Sequence, residues 1–213
     1  MPIQVKICGI SDEVAMKAAV RNGASFVGLV FFPPSPRCVT PERAAELVDG
    51  LPENVTKVGL FVDADDVALE TVLNHVRLDL LQFHGQESPQ RVEAVRREFA
   101  IPILKMIPVA VAADLEQAKA YEDVADWLLF DAKARPDAAL PGGNARAFDW
   151  SLLRDRTWAL PWMLAGGLTV DNLAAAVRTT GAAAVDVSSG VEDRPGVKNP
   201  DKIRAFLEMA AKL

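Results

Sequence analysis

An α/β fold, a closed (β/α)8 barrel in one domain over residues 1–213, is what this sequence predicts on three observations. Short apolar runs alternate with capped amphipathic helices along the whole chain, eight such runs can be counted, and the chemically distinctive residues fall just after them. An open doubly wound sheet alternates in the same way, so periodicity by itself leaves that topology open. With 213 residues, half of them apolar, the chain can bury a sizeable core without a disulfide or a metal, and a barrel of this length has few insertions.

The strand candidates are 3–8, 26–31, 57–62, 78–83, 103–107, 127–131, 163–165 and 184–187. Most are unbroken hydrophobic stretches, the pattern of parallel strands covered on both faces. Helix starts are signalled by Ser11, Thr40-Pro41, Ser88-Pro89, Thr169 and Asn199-Pro200, where a side-chain cap stands before the first turn and proline, where present, is preset for it. Gly23 and Gly181 close two helices. The run 91–98 alternates charges on a helix and reads as a solvated face, and His75 reads as a helix-end residue.

Composition excludes several function classes. The net charge of −6 is spread over interspersed acidic and basic residues, so no basic footprint for nucleic acid and no membrane-binding stripe is expected. The start has no charged segment leading into a long apolar run, and no later stretch reaches transmembrane length, which points to the cytoplasm. Cys8 and Cys38 are expected as reduced thiols, and two histidines are too few for a histidine-rich metal site.

In a barrel the chemistry belongs at the C-terminal ends of the strands. Those ends run into Cys8-Gly9, Pro33-Pro34-Ser35-Pro36-Arg37, Val62-Asp63, His84-Gly85, Asp131, Gly166-Gly167 and Asp186-Val187-Ser188-Ser189-Gly190, and the opposite ends show nothing comparable. Period-two alternation puts Lys6 with Cys8, Gln82 with His84, and Trp127 and Leu129 with Asp131 on inward faces. An isolated cysteine is ordinarily a small core residue, but a thiol at the end of the first strand is also a candidate base. Gly166, Gly167, Ser188, Ser189 and Gly190 follow the last two strands, where bare amides and hydroxyls can converge on an anion; each segment taken alone equally suits a simple turn. Trp150, Trp158 and Trp162 are spaced as packing residues, and Cys38 is expected to be incidental.

Taken in order, these stretches resemble the phosphoribosylanthranilate isomerase family of tryptophan biosynthesis over the whole chain. The matching stretches are Val5-Lys6-Ile7-Cys8-Gly9-Ile10, Gly28-Leu29-Val30-Phe31-Phe32 with Ser35-Pro36-Arg37, Leu81-Gln82-Phe83-His84-Gly85, Leu128-Leu129-Phe130-Asp131, Phe148-Asp149-Trp150, Ala165-Gly166-Gly167-Leu168-Thr169, Asp186 through Glu192, and Gly196-Val197-Lys198. One departure lies after strand six, where the family pattern glycine-glycine-threonine-glycine-lysine is replaced by Gly142-Gly143-Asn144-Ala145-Arg146.

The resemblance implies an Amadori rearrangement of N-(5-phosphoribosyl)anthranilate, an aminoaldose, to the corresponding carboxyphenylamino deoxyribulose phosphate. Asp131 is then the acid that opens the furanose ring and Cys8 the base at C2. Arg37 meets the anthranilate carboxylate, His84 and Asp186 address the sugar, and the glycine and serine segments hold the phosphate. No cofactor and no metal are called for, because the protonated imine is itself the electron sink. The partner is a small phosphosugar, with the chain a monomer or homodimer.

Both groups need an unusual protonation state at neutral pH. Desolvation at the end of an apolar strand is expected to raise Asp131, and a nearby charge to lower Cys8, with Lys6 as one source unless a carboxylate deeper in the barrel claims it. Other phosphosugar barrels are weaker readings. A metal-dependent epimerase needs more histidine, an indole-glycerol-phosphate synthase more lysine and glutamate at strand ends, and a silent binding protein would be expected to lack Cys8 or Asp131.

Overall fold

The computed structural model describes residues 2–134, 142 and 147–213. Eight parallel strands close on themselves: β1 (Gln4–Cys8), β2 (Phe26–Val30), β3 (Thr56–Phe61), β4 (Leu80–Phe83), β5 (Ile103–Val109), β6 (Trp127–Ala132), β7 (Trp162–Leu164) and β8 (Ala184–Val187). β1 completes the ring against β8, with Val5 opposite Val185 and Lys6 opposite Asp186. The expected closed barrel is therefore formed, and the open-sheet alternative is not.

Strand parity divides the core in two. Outward residues such as Val5, Ile7, Val27, Leu81, Phe83, Leu128, Phe130 and Val185 pack under the surrounding helices. Inward residues Phe26, Val58, Leu80, Leu104, Met106, Leu129, Met163, Ala165 and Ala184 fill the barrel floor and middle. Toward the C-terminal mouth the filling changes to Cys8, Val30 and Leu60 beside the buried polar groups Lys6, Gln82, His84, Asp131 and Asp186. Apolar layers thus form the base on which a polar mouth is built.

The helices are α1 (Glu13–Arg21), α2 (Pro41–Val48), α3 (Asp66–Leu73), α4 (Pro89–Phe99), α5 (Leu173–Thr180) and α6 (Pro200–Ala210). Thr40, Ser88 and Asn199 cap their helices as expected, each accepting a backbone N–H of the first turn. Two starts differ from expectation. Asp12, in extended conformation, replaces Ser11 as the cap of α1 and accepts from Ala15 N at 2.9 Å. Asn172, not Thr169, precedes α5, because its side chain turns back on the loop: Oδ1 accepts from Thr169 N at 2.8 Å and Nδ2 donates to Gly167 O at 2.9 Å. Gly181 closes α5 in the left-handed region and Gly23 follows the end of α1 at φ +89°.

The expected eight α-helices are not all α among the described residues. After β5 the chain runs as a 3₁₀ stretch, Ala112–Tyr121, and after β6 a single 3₁₀ turn, Trp150–Leu153, stands on the described part of the connection. The first follows from spacing: Ala112, Leu115, Ala118 and Tyr121 recur every third residue, the period at which 3₁₀ side chains eclipse. After β8 the chain adds an antiparallel hairpin, β9 (Glu192–Arg194) and β10 (Val197–Lys198), before α6. A side chain at Gly196 in its turn would meet Pro36 O at 2.4 Å, so the hairpin sits against the loop after β2.

The tryptophans pack as expected, Trp158 at 4.6 Å and Trp162 at 5.7 Å from the Phe130 ring centroid. His75 accepts its helix-end role, with Nδ1 at 2.8 Å from Thr71 O. Both cysteines are free thiols. Among the described residues no helix is long and apolar enough to cross a membrane.

Candidate active site

Cys8 is the last residue of β1 and is buried at the mouth. Gly28 makes room for it: a Cβ there would lie 3.1 Å from Cys8 Sγ and 3.2 Å from Lys6 Cε. Lys6, wholly buried one inward position below, donates to Asp186 Oδ1 at 2.9 Å and also reaches the Cys8 thiol. The carboxylate that claims Lys6 is Asp186, level with it on the adjacent strand and not deeper in the barrel, and it leaves Lys6 in reach of the thiol. Burial alone would lower the Lys6 ammonium, but Asp186 and Cys8 together hold it above its ordinary value.

The expected lowering of Cys8 is not found. Burial pushes the thiol up and Asp186 adds to that, outweighing the favourable charges of Lys6 and Lys198. The cations are in place, but desolvation wins, so the resting group is the thiol.

Arg37 is buried, not a surface loop arginine. Its Nε donates to Glu192 Oε1 and its Nη2 to Glu192 Oε2, both at 2.8 Å, a two-pronged pair that orients the guanidinium plane. Lys198 Nζ donates to the same Glu192 Oε1 at 2.7 Å and to Ser188 O and Oγ at 3.1 Å each. Burial would raise the Glu192 carboxyl, yet the Arg37 and Lys198 contacts hold it below its usual value; for Lys198, burial prevails and lowers it. Three cations, Lys6, Arg37 and Lys198, thus face two carboxylates, Asp186 and Glu192, on this side of the mouth. An excess of one positive charge in a buried region suits an anionic ligand.

The two glycine-bearing loops meet. A Cβ on Gly190 would fall 1.9 Å from Leu168 O, so the loops after β7 and β8 can approach this closely only with glycine there. Gly166 and Gly167 adopt φ +89° and +65°, and Asn172 braces their turn. Gly166 also passes over the end of β6, with its Cβ position 3.3 Å from Asp131 Oδ1. Ser188, Ser189 and Gly190 lead directly into the hairpin, with Ser189–Val191 forming a 3₁₀ turn.

Asp131 sits on the inward face of β6, its Oδ1 accepting from Ala132 N at 2.7 Å. Its Oδ2 lies 3.5 Å from His84 Nε2, and His84 Nδ1 lies 2.9 Å from Gln82 Nε2. The loop carrying His84 is locked from behind. Glu87 accepts from Asp63 N at 2.8 Å, from Gly85 N at 3.0 Å and from Lys105 Nζ at 2.6 Å, while Lys105 also donates to Gly85 O at 2.7 Å. Burial lowers the Lys105 ammonium in spite of Glu87. Of the variant loop, Gly142 stands against His84, its Cβ position 2.3 Å from Nε2. Gly143, Asn144, Ala145 and Arg146 lie outside the described residues.

All the candidate residues thus gather at one end of the barrel: Cys8 with Asp186 through Lys6, Asp131 with His84 and Gly166, Arg37 with Ser188 through Glu192 and Lys198. Among the described residues no cluster of three or more His, Cys, Asp or Glu could hold a metal ion. Sequence reasoning missed Glu192, Lys198 and Gln82 as working parts. Gln82 carried a signal, a polar residue at inward parity in an apolar strand. Glu192 and Lys198 lie on the short hairpin after β8, outside the strand alternation of the barrel, where charged residues are ordinarily solvated.

Comparison with known proteins agrees with this geometry. Residues 5–209 match the family described as N-(5'phosphoribosyl)anthranilate (PRA) isomerase. The chain is 65% identical over 210 residues to N-(5'-phosphoribosyl)anthranilate isomerase of Paramagnetospirillum magneticum, covering 99% of this chain and 98% of that one. Phosphoribosyl anthranilate isomerase from Thermotoga maritima has the same fold, with a TM-score of 0.86 at 35% identity over 99% of this chain and 100% of that one. A phosphoribosyl anthranilate isomerase in complex with reduced 1-(o-carboxyphenylamino)-1-deoxyribulose 5-phosphate superposes with a TM-score of 0.84 at 34% identity, covering 99% and 100%. The chain belongs to the N-(5'-phosphoribosyl)anthranilate isomerase family.

Proposed function

We propose that Asp131 and Cys8 are the acid and base with which this chain isomerises N-(5-phosphoribosyl)anthranilate to 1-(2-carboxyphenylamino)-1-deoxyribulose 5-phosphate, the step of tryptophan biosynthesis its family performs. The observation that carries the assignment is a buried thiol and a nearly buried carboxyl, each on the inward face at a strand's C-terminal end.

Asp131 gives a proton to the furanose ring oxygen as the C1–O bond breaks, leaving a protonated imine at C1. Cys8 then takes the proton from C2, and the C2–H electrons form the C1=C2 bond while the iminium is neutralised. Loss of the C2 hydroxyl proton and protonation at C1 give the ketose. The Cys8 thiol must ionise for its step, and burial opposes that in the empty site. The cationic imine formed next to C2 adds to Lys6 and Lys198, so the thiolate is favoured when the ring has opened.

Arg37, oriented by Glu192, receives the anthranilate carboxylate. Gly166, Gly167, Ser188, Ser189 and Gly190 receive the phosphate where the last two loops meet. Asp186, held by Lys6, and His84 address the sugar hydroxyls. The small phosphosugar is the only partner the reaction needs, and this reading includes no cofactor and no metal. A cytoplasmic location suits it.

The test is turnover of freshly generated phosphoribosylanthranilate, followed by the loss of its fluorescence. Wild type is expected to convert it, with Cys8→Ser and Asp131→Asn each lower in kcat by about 10²–10⁴. An inactive wild type removes the isomerase reading, and full turnover by Cys8→Ser requires another base.

A further inference from the structure

We infer that Gln82 is a positioning residue that sets the tautomer of His84, holding the ring as the Nε2–H form with that N–H aimed at Asp131. The aim toward substrate rests on the function proposed above; the tautomer itself does not.

Gln82 is wholly buried on the inward face of β4, in an interior lined by Leu80, Leu104, Met106 and Leu129. An amide there is costly unless it makes a bond that an apolar residue could not. Its side chain makes one such bond among the described residues, Nε2 to His84 Nδ1 at 2.9 Å, and its Oε1 has none. A neutral imidazole carries one donor and one acceptor, so the partner of one nitrogen decides the state of the other. With the Gln82 amide donating, Nδ1 must present its lone pair and the proton must sit on Nε2.

The far side of the ring points the same way. Nε2 faces Asp131 Oδ2 at 3.5 Å, which an N–H satisfies and a lone pair does not. That separation is too long for a full hydrogen bond, and Nε2 is without one among the described residues. The result is a buried donor beside the acid with capacity to spare. The ring cannot easily swing to find other partners: His84 N donates to Phe61 O at 2.9 Å, and the following Gly85 is clamped by Glu87 and Lys105. Gln82 therefore need not touch the reacting atoms to matter. It determines whether the group beside Asp131 offers a proton or a lone pair.

The experiment uses protein labelled with ¹⁵N-histidine and two-bond nitrogen–proton correlation at neutral pH. The chain has only two histidines, and His75→Gln, an exposed position, assigns them. Wild-type His84 is expected to show a protonated Nε2 and a bare Nδ1; the reverse pattern, or an imidazolium, overturns the inference. Gln82→Glu replaces the donor with an acceptor and is expected to move the proton onto Nδ1. Gln82→Met removes the bond at similar volume and is expected to give averaged shifts of two exchanging tautomers, whereas an unchanged wild-type pattern overturns the role of Gln82.

In turnover, Gln82→Met is expected to lower kcat by roughly tenfold to a hundredfold and to have no added effect in a His84→Ala background. A further loss in that background means Gln82 acts otherwise than through His84, and the inference falls. Should Gln82→Met fail to fold, the wild-type and Gln82→Glu spectra still decide it. The spectra are read from enzyme without substrate, so an inactive wild type defeats the proposed reaction while leaving the tautomer result intact.

Discussion

The two sides of the barrel mouth are built on different electrostatic plans. Around Cys8, strands β1 and β8, the hairpin and the loop after β2 carry five buried charges in linked groups, Lys6 with Asp186 and Arg37 with Glu192 and Lys198. Around Asp131, the series Gln82 to His84 approaches from one side, with a glycine turn above. The first side tunes its thiol with net charges, which act over distance and are interdependent. The second sets a hydrogen-bonding ring beside its carboxyl, a contact that is local and directional. Under the proposed assignment, one chain thus serves a base that must become anionic and an acid that must release a proton by separate means.

The largest expected effect breaks the charged side. Glu192→Ala leaves Arg37 and Lys198 facing each other without their shared carboxylate, a loss of about 3–5 kcal/mol in folding stability, read as a lower Tm or denaturant midpoint. Gln82→Met, on the Asp131 side, is expected to cost less than about 1.5 kcal/mol. If the two variants melt alike, the contrast between the sides is wrong. Glu192 also contributes to the acid limb. Its folded carboxyl is held below the ordinary value, so its contribution is present above that value and disappears as pH falls through the folded one. A Tm profile of Glu192→Gln should accordingly be flatter than wild type in acid.

A smaller loss follows from Gly28→Ala, whose added methyl would stand 3.1 Å from the Cys8 thiol and 3.2 Å from the Lys6 side chain. The expected cost is about 1–3 kcal/mol, measured by chemical denaturation, with a fall in kcat because the crowding is directed at Cys8, the proposed base. Stability and turnover both equal to wild type would show that the pair has slack.

The finest comparison concerns the thiol alone. In a Cys38→Ser background, the pH dependence of alkylation at Cys8 is expected to have its midpoint above the ordinary thiol value. Lys6→Met should move it further up, since a favourable charge is lost, and Asp186→Asn should move it down. Shifts in the same direction for both variants would break the account of this side.

Much of this was legible from residue order. The positions of Cys8, Asp131 and His84 at the mouth follow from parity and strand-end position, which are local properties, and the barrel follows from repeating them. Arg37 was placed at the site, but its burial depends on Glu192, 155 positions away, which no local pattern reveals. The state of Cys8 was misjudged for a related reason: charges can be read from a sequence, whereas the desolvation that outweighs them exists only once the barrel has closed. The Ser11 and Thr169 starts failed through competition among nearby polar residues. Asp12 and Asn172 were equally capable, and tertiary demands, such as holding the glycine turn after β7, chose between them.

The hairpin after β8 adds a consequence for how the substrate is measured. Through Glu192 and Lys198 it joins the guanidinium of Arg37 to the Ser188 backbone and hydroxyl, and its Gly196 turn rests on Pro36. Under the proposed assignment those are the grips on the aryl carboxylate and on the phosphate. They are set by one rigid spacer, so the mouth works as a caliper of fixed span. A shorter or longer phosphosugar could satisfy either jaw but not both, and remodelling one jaw for a new substrate would reset the other.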